Sequence, residues 1–129
     1  MSRYMMFINH SEDYRNRTVP QALYDAMGEF VQKSMKSGNV IDTAGLLPTS
    51  EGTRVRLSKG KLKVTDGPFT EAKEVIGGFA IFEFKSREEA IEAAAHFMEL
   101  SRKHWPGWEG ECEVRQMWSP DEDFPQAEG

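Results

Sequence analysis

The chain has 129 residues, 39% hydrophobic and 29% charged, with a formal net charge of −5 at pH 7. That size gives one domain able to bury roughly two-thirds of its unfolded surface, with the composition of a soluble globular protein. The charge argues against a nucleic-acid partner, no apolar run approaches the roughly 20 residues that span a membrane, and a single cysteine, Cys112, excludes an internal disulfide framework and suits a reducing, cytoplasmic setting.

Residues 3–9 read as a first strand in which Tyr4, Met6 and Ile8 alternate with Met5 and Phe7. Its apolar stretch is too short for a signal peptide. His10 ends it, followed by Ser11, Glu12 and Asp13, which can orient an imidazole for acid–base work; the alternative is a loop histidine with no task. After a polar loop over residues 11–17, Thr18 and Gln21 form a capping box. The helix they open carries Leu23, Met27, Phe30, Val31 and Met35 as one apolar stripe and stops at Gly38. Residues 40–46 read as a second strand, interrupted by Asp42.

Residues 53–57 and 61–65 form a hairpin around Ser58-Lys59-Gly60. Val55, Leu57, Leu62 and Val64 alternate there with Arg54, Arg56, Lys61 and Lys63, so one side is basic. That side is an anion site or a dock for an acidic partner, or a solvated face that blocks edge pairing. Residues 76–84 read as a strong strand. Ser86 and Glu89 make a second capping box, opening a helix with Ile91, Ala94, Ala95 and Met98 buried and His96 beside the stripe. His104 precedes a Trp105-Pro106-Gly107-Trp108 cluster that, with Trp118, seals a core edge. Residues 111–118 form the last strand. The domain therefore spans residues 1–118, and the acidic, proline-containing residues 119–129 form a loose tail.

The densest signal lies over residues 64–79, where Asp66-Gly67-Pro68-Phe69 leads through Lys73 and Glu74 to Gly77-Gly78-Phe79. Pro68 holds Gly67 in an extended or turn conformation, and Asp66 can accept from backbone donors just ahead. Thr70 can cap a short helical turn with Glu71 and Glu74 near its positive end. Gly77 and Gly78 let a ring, a ligand or another backbone approach closely. The run is either a well-built corner before a core strand or the lining of a site.

Strand–helix–strand, twice, predicts a ferredoxin-like α+β sandwich with two helices on one face of an antiparallel sheet and an inserted β-hairpin. The other face should be polar if it met water. It is apolar, with Met5 and Phe7 in the first strand and Phe79 and Ile81 in the central one. A second copy of the chain is the simplest cover, leaving a pocket between the two sheets as the natural ligand site; alternatively the hairpin or tail folds over that face.

Residues 64–79 resemble the signature of the DGPF domain family of YciI-related bacterial proteins, through Asp66, Gly67, Pro68, Phe69, Lys73, Glu74, Gly77, Gly78 and Phe79. Residues 44–48 and Glu113-Val114-Arg115 are similar to flanking segments of that family, so the likeness runs from about residue 1 to about 118. The resemblance implies a dimeric α/β barrel. Some YciI-type relatives carry a presumed acid–base histidine in the first helix, at a position that falls near Met27 here. Such proteins are often encoded beside extracytoplasmic-function sigma factors, which implies a sensing or accessory role.

No phosphate loop, dinucleotide fingerprint or nucleophile elbow occurs, and the histidines lack metal-ligand spacing. Two functions fit. One is a dimeric small-molecule enzyme working by proton transfer, isomerase- or lyase-like, with no cofactor or metal. Asp66, Glu74 and Asp42 would move protons, and Phe69, Lys73, Gly77, Gly78, Phe79, Arg115 and His10 would bind substrate. The other is a non-enzymatic binding or regulatory module in a sigma-factor pathway.

Overall fold

A computed structural model of the protein describes residues 1–11 and 19–119. Strand β1 (Ser2–His10) leads to helix α1 (Gln21–Lys36) and strand β2 (Val40–Gly45). A single 3-10 turn, Thr49–Glu51, precedes strands β3 (Thr53–Ser58) and β4 (Lys61–Asp66). Strand β5 (Val75–Phe84), helix α2 (Arg87–His104) and strand β6 (Glu111–Gln116) complete the order.

Four strands form one antiparallel sheet in the order β2-β5-β1-β6, and β3 and β4 pair only with each other. This is an α+β architecture consistent with the ferredoxin-like fold. Among the described residues no helix is long and apolar enough to cross a membrane.

Alternation along the strands decides the two sheet faces. Tyr4 opposes Phe82 and Met6 opposes Ala80, while Met6 also opposes Val114 across β6. These side chains meet the helices in a core of Met6, Val40, Phe82 and Ala94, with Phe30 and Ala93 packed against it. The opposite face carries the rows Phe79–Phe7–Glu113 and Ile81–Met5–Arg115. Its apolar members remain partly exposed.

Helix α2 begins as its sequence predicts. Ser86 Oγ accepts from the Glu89 N–H at 3.3 Å, and Glu89 reaches back to accept from the Lys85 N–H at 3.0 Å. Arg102, Lys103 and His104 lie at its negative end. Its buried positions are Ala90, Ala94 and Ser101, and Ile91 is exposed, so the stripe is rotated from the expected one. Met35, in the last turn of α1, is likewise exposed. Helix α1 starts after Pro20, and Thr18, expected as its cap, lies outside the described residues. So do residues 120–129 of the expected tail.

Candidate functional site

A cavity of about 450 Å³ lies between the helices and the sheet of one chain. Met6, Ile8, Val40 and Phe82 line it from the sheet, and Leu23, Met27, Phe30 and Phe97 from the helices. Trp105 and Trp108, stacked with centroids 6.2 Å apart, border it too. Among the described residues no Asp, Glu, Lys or Arg belongs to its wall. Its polar members include His10, Thr43, Ser101 and Tyr24. Thr43 Oγ1 already donates to the Phe79 carbonyl at 2.9 Å.

His10 is the polar side chain this architecture places most specifically. It is 4% exposed, at the end of β1, where the pairing with β5 shifts between Ile8 and Asn9. The shift leaves Gly77 beneath the imidazole: a Cβ built there would lie 1.8 Å from His10 Nε2. Only glycine leaves room for the ring. Nδ1–H donates to the Ser11 carbonyl at 3.0 Å. A carbonyl only accepts, so Nδ1 carries a proton in this contact.

His10 also borders a second, polar cleft of about 330 Å³, lined by Ser11, Lys73, Glu74, Glu109, Gly110 and Glu111. One imidazole thus belongs to the walls of an uncharged apolar cavity and of a charged cleft.

The structure gathers part of the expected site. His10, Gly77, Gly78 and Phe79 border the cavity, and Lys73 and Glu74 the cleft. Asp66 and Phe69 border neither. They build a corner that closes the base of β3–β4 onto the 3-10 turn. Thr53 Oγ1 donates to Asp66 Oδ1 at 3.0 Å, the Gly67 N–H to the Gly52 carbonyl at 2.9 Å, and the Phe69 N–H to Thr49 Oγ1 at 3.1 Å. The Gly67–Pro68 peptide is cis. Phe69 is buried, with the Arg54 guanidinium 3.8 Å above its ring, and Arg54 pairs with Glu71. A backbone hydrogen bond and the Arg54 guanidinium hold the Glu71 carboxyl below its ordinary range. Thr70 opens no helix: the Ala72 N–H donates to the Phe69 carbonyl at 3.1 Å in a single turn.

Asp42 is exposed, and its carboxylate accepts from the Thr43 N–H at 2.8 Å. Arg115 is exposed and paired with Glu113 on the open sheet face. Neither borders the cavity or the polar cleft. Cys112 is half-buried beside Met6, its Sγ 3.7 Å from Sδ, and burial pushes its thiol up to about 11. No group of three or more His, Cys, Asp or Glu among the described residues is placed to hold a metal.

Sequence reasoning missed the cavity roles of Trp105, Trp108 and Ser101. Ser101 had a signal. It continues the series Ala90, Ala94, Phe97 along α2, a hydroxyl at a position where spacing calls for an apolar side chain. Met27, at the position near which some YciI-type relatives place a histidine, is on the cavity wall.

The sequence model of the YCII-related domain matches residues 2–98. The chain is also 36% identical over 63 residues to an uncharacterized protein, R00369, of Rhizobium meliloti (strain 1021). That alignment covers 49% of this chain and 51% of the relative, so the chain matches about half the length of the curated protein.

Proposed function

The chain belongs to the YCII-related domain family, and we propose that it is a cytoplasmic, homodimeric small-molecule-binding protein. Its cavity takes an uncharged, mostly apolar ligand, and His10 performs cofactor-independent proton transfer on it, isomerase- or lyase-like. The observation that carries this reading is the His10 imidazole, set between a cavity whose described wall is mostly apolar and a cleft bordered by Lys73, Glu74, Glu109 and Glu111.

The volume suits a small organic ligand. The mostly apolar wall formed by the described residues compensates an ionised ligand poorly for lost hydration, which favours neutral compounds. In the proposed step Nε2 of the neutral imidazole removes a proton from a carbon acid and returns it to the same molecule. Lys73 and Glu74 exchange protons with water from the cleft side. Asp66 and Phe69 hold the corner, and Asp42 and Arg115 lie outside the walls of the cavity and the cleft. The homodimer rests on the open sheet face, where Met5, Phe7, Phe79 and Ile81 stay partly exposed; two such faces turned together form an α/β barrel.

The test is extraction of ligand from protein purified without denaturation, read by native mass spectrometry, with a panel of neutral cyclic ketones titrated by calorimetry. A bound ketone should take up solvent deuterium next to its carbonyl, and His10→Ala should abolish the uptake while leaving binding within about tenfold. Absence of both co-purified ligand and panel binding at about 1 mM sinks the cavity reading. Binding without deuterium uptake leaves the second reading, a non-enzymatic regulatory module of the kind resemblance links to sigma factors, which the exposed basic hairpin favours.

A further inference from the structure

Two polar residues are buried among the described residues, His10 and Ser101, each 4% exposed, and both border the same cavity. Ser101 has no evident task in the fold. Its carbonyl accepts from the Trp105 N–H at 2.9 Å, but among the described residues its hydroxyl makes no hydrogen bond. A serine inside a helix ordinarily turns its hydroxyl back to the carbonyl four residues earlier, here that of Phe97. A hydroxyl shielded from water without a partner destabilises the fold. Alanine would simply continue the buried series of Ala90 and Ala94.

The chain also ties Ser101 to the end of β1 that carries His10. From Ser101 it leaves α2 in tight turns, with the Trp108 N–H donating to the Trp105 carbonyl at 3.1 Å. The Trp108 indole then lies against Gly110, where a Cβ would be 2.3 Å from the ring and 2.9 Å from the Asn9 carbonyl oxygen. Asn9 immediately precedes His10 and pairs with Glu111.

We propose that Ser101 selects and orients the ligand: its hydroxyl donates a hydrogen bond to the carbonyl oxygen of a neutral ketone or aldehyde held in the cavity. The inference rests on the ligand reading proposed above and adds to it the group that recognises the ligand's polar end. The other polar side chains on the wall serve this role less well. The Thr43 hydroxyl proton is already given to the Phe79 carbonyl, and Tyr24 is 56% exposed. His10, acting as the base, uses the bare nitrogen of its ring and offers the oxygen no donor there. A cavity with one such donor in a mostly apolar wall discriminates against an isostere that lacks the oxygen, because that ligand leaves the hydroxyl unpaired. The contact also assists the proposed chemistry. His10 takes the proton next to the carbonyl, the C–H electron pair becomes a C=C bond, and the carbonyl π pair moves onto oxygen. The Ser101 hydrogen bond strengthens as that charge develops. The imidazolium N–H exchanges with water, and reversal returns a solvent proton or deuteron to the same carbon.

The test compares wild type with Ser101→Ala in the full chain. The probes are cyclohexanone and menthone, each beside the analogue in which a CH2 group replaces the carbonyl oxygen, titrated by calorimetry. The wild type should prefer the ketones, and Ser101→Ala should lose about tenfold in ketone affinity while holding the analogues within about twofold. Deuterium uptake by saturating ketone should slow on the order of 100-fold. The Tm of the ligand-free variant should equal or exceed that of the wild type, whereas a hydroxyl serving only the fold would lower it on removal. An unchanged ketone preference, whether both affinities hold or both fall together with Tm, overturns the inference and leaves the cavity and His10 readings standing. So does a wild type that binds the two members of a pair equally. A wild type that binds no probe removes the cavity reading and this one together. Binding without deuterium uptake removes proton transfer alone, and the ketone preference still decides the role of Ser101.

Discussion

At Gly67 the chain passes so close to the 3-10 turn that a Cβ would lie 1.7 Å from the Thr49 carbonyl oxygen. That oxygen is backbone and cannot rotate away, so Gly67→Ala must move the turn or the β3–β4 hairpin. We expect a loss of about 2–4 kcal/mol in chemical denaturation, and a loss below about 1 kcal/mol would show that the corner yields. Asp66→Ala removes the Thr53 hydroxyl's acceptor in an exposed position and should cost only about 0.5–1 kcal/mol by the same measurement. Cys112 gives a pH-dependent prediction. Burial raises its folded pKa to about 11 from 9.0, so the unfolded chain ionises first. Its contribution to stability is fully present below pH 9 and is lost as pH rises from about 9 toward 11. Alkylation of the native protein at pH 8 should be slow and should accelerate on unfolding; equal rates in both states would contradict this placement.

At the scale of elements, much was legible because the signals are local. Ser86 and Glu89 announced the start of α2, and Ser86→Ala should lower stability by about 1 kcal/mol, read as a fall in Tm. An unchanged Tm would mean that water replaces the cap. The hairpin's turn was equally plain: Lys59 and Gly60 adopt φ of 53° and 76°, the left-handed pair a two-residue hairpin turn requires. Periodicity was less reliable at helix ends. Met35 and Ile91 continue apolar spacing but are exposed, Ile91 because the buried stripe of α2 runs through its neighbour Ala90. The corner at Asp66 could be recognised as a turn, but not the partners it closes on. Thr49 and Gly52 lie more than ten residues back, and nothing in the local pattern names them.

Over the whole molecule, the α+β order followed from the sequence, while the cavity did not. Alternation and helical spacing report which face a side chain occupies, not whether facing side chains fill the space between them. The expected pocket lay between two sheets of a dimer; the cavity observed lies between sheet and helices of one chain. Of the ten expected site residues, six border the cavity or the cleft. Gly77 announced a close approach, and the approaching group proved to be the His10 ring, itself on the expected residue set. Light scattering should give twice the chain mass of 14.7 kDa.

The stacked indoles have an optical consequence. Two of the three tryptophans, Trp105 and Trp108, border the cavity, while Trp118 is 54% exposed and outside it. The protein therefore carries its own occupancy gauge. Emission that iodide cannot quench comes mainly from the sheltered pair and should change in colour or intensity when the cavity fills, and the quenchable fraction from Trp118 should stay constant as an internal reference. Candidate ligands can be ranked on the unlabelled protein by this difference alone.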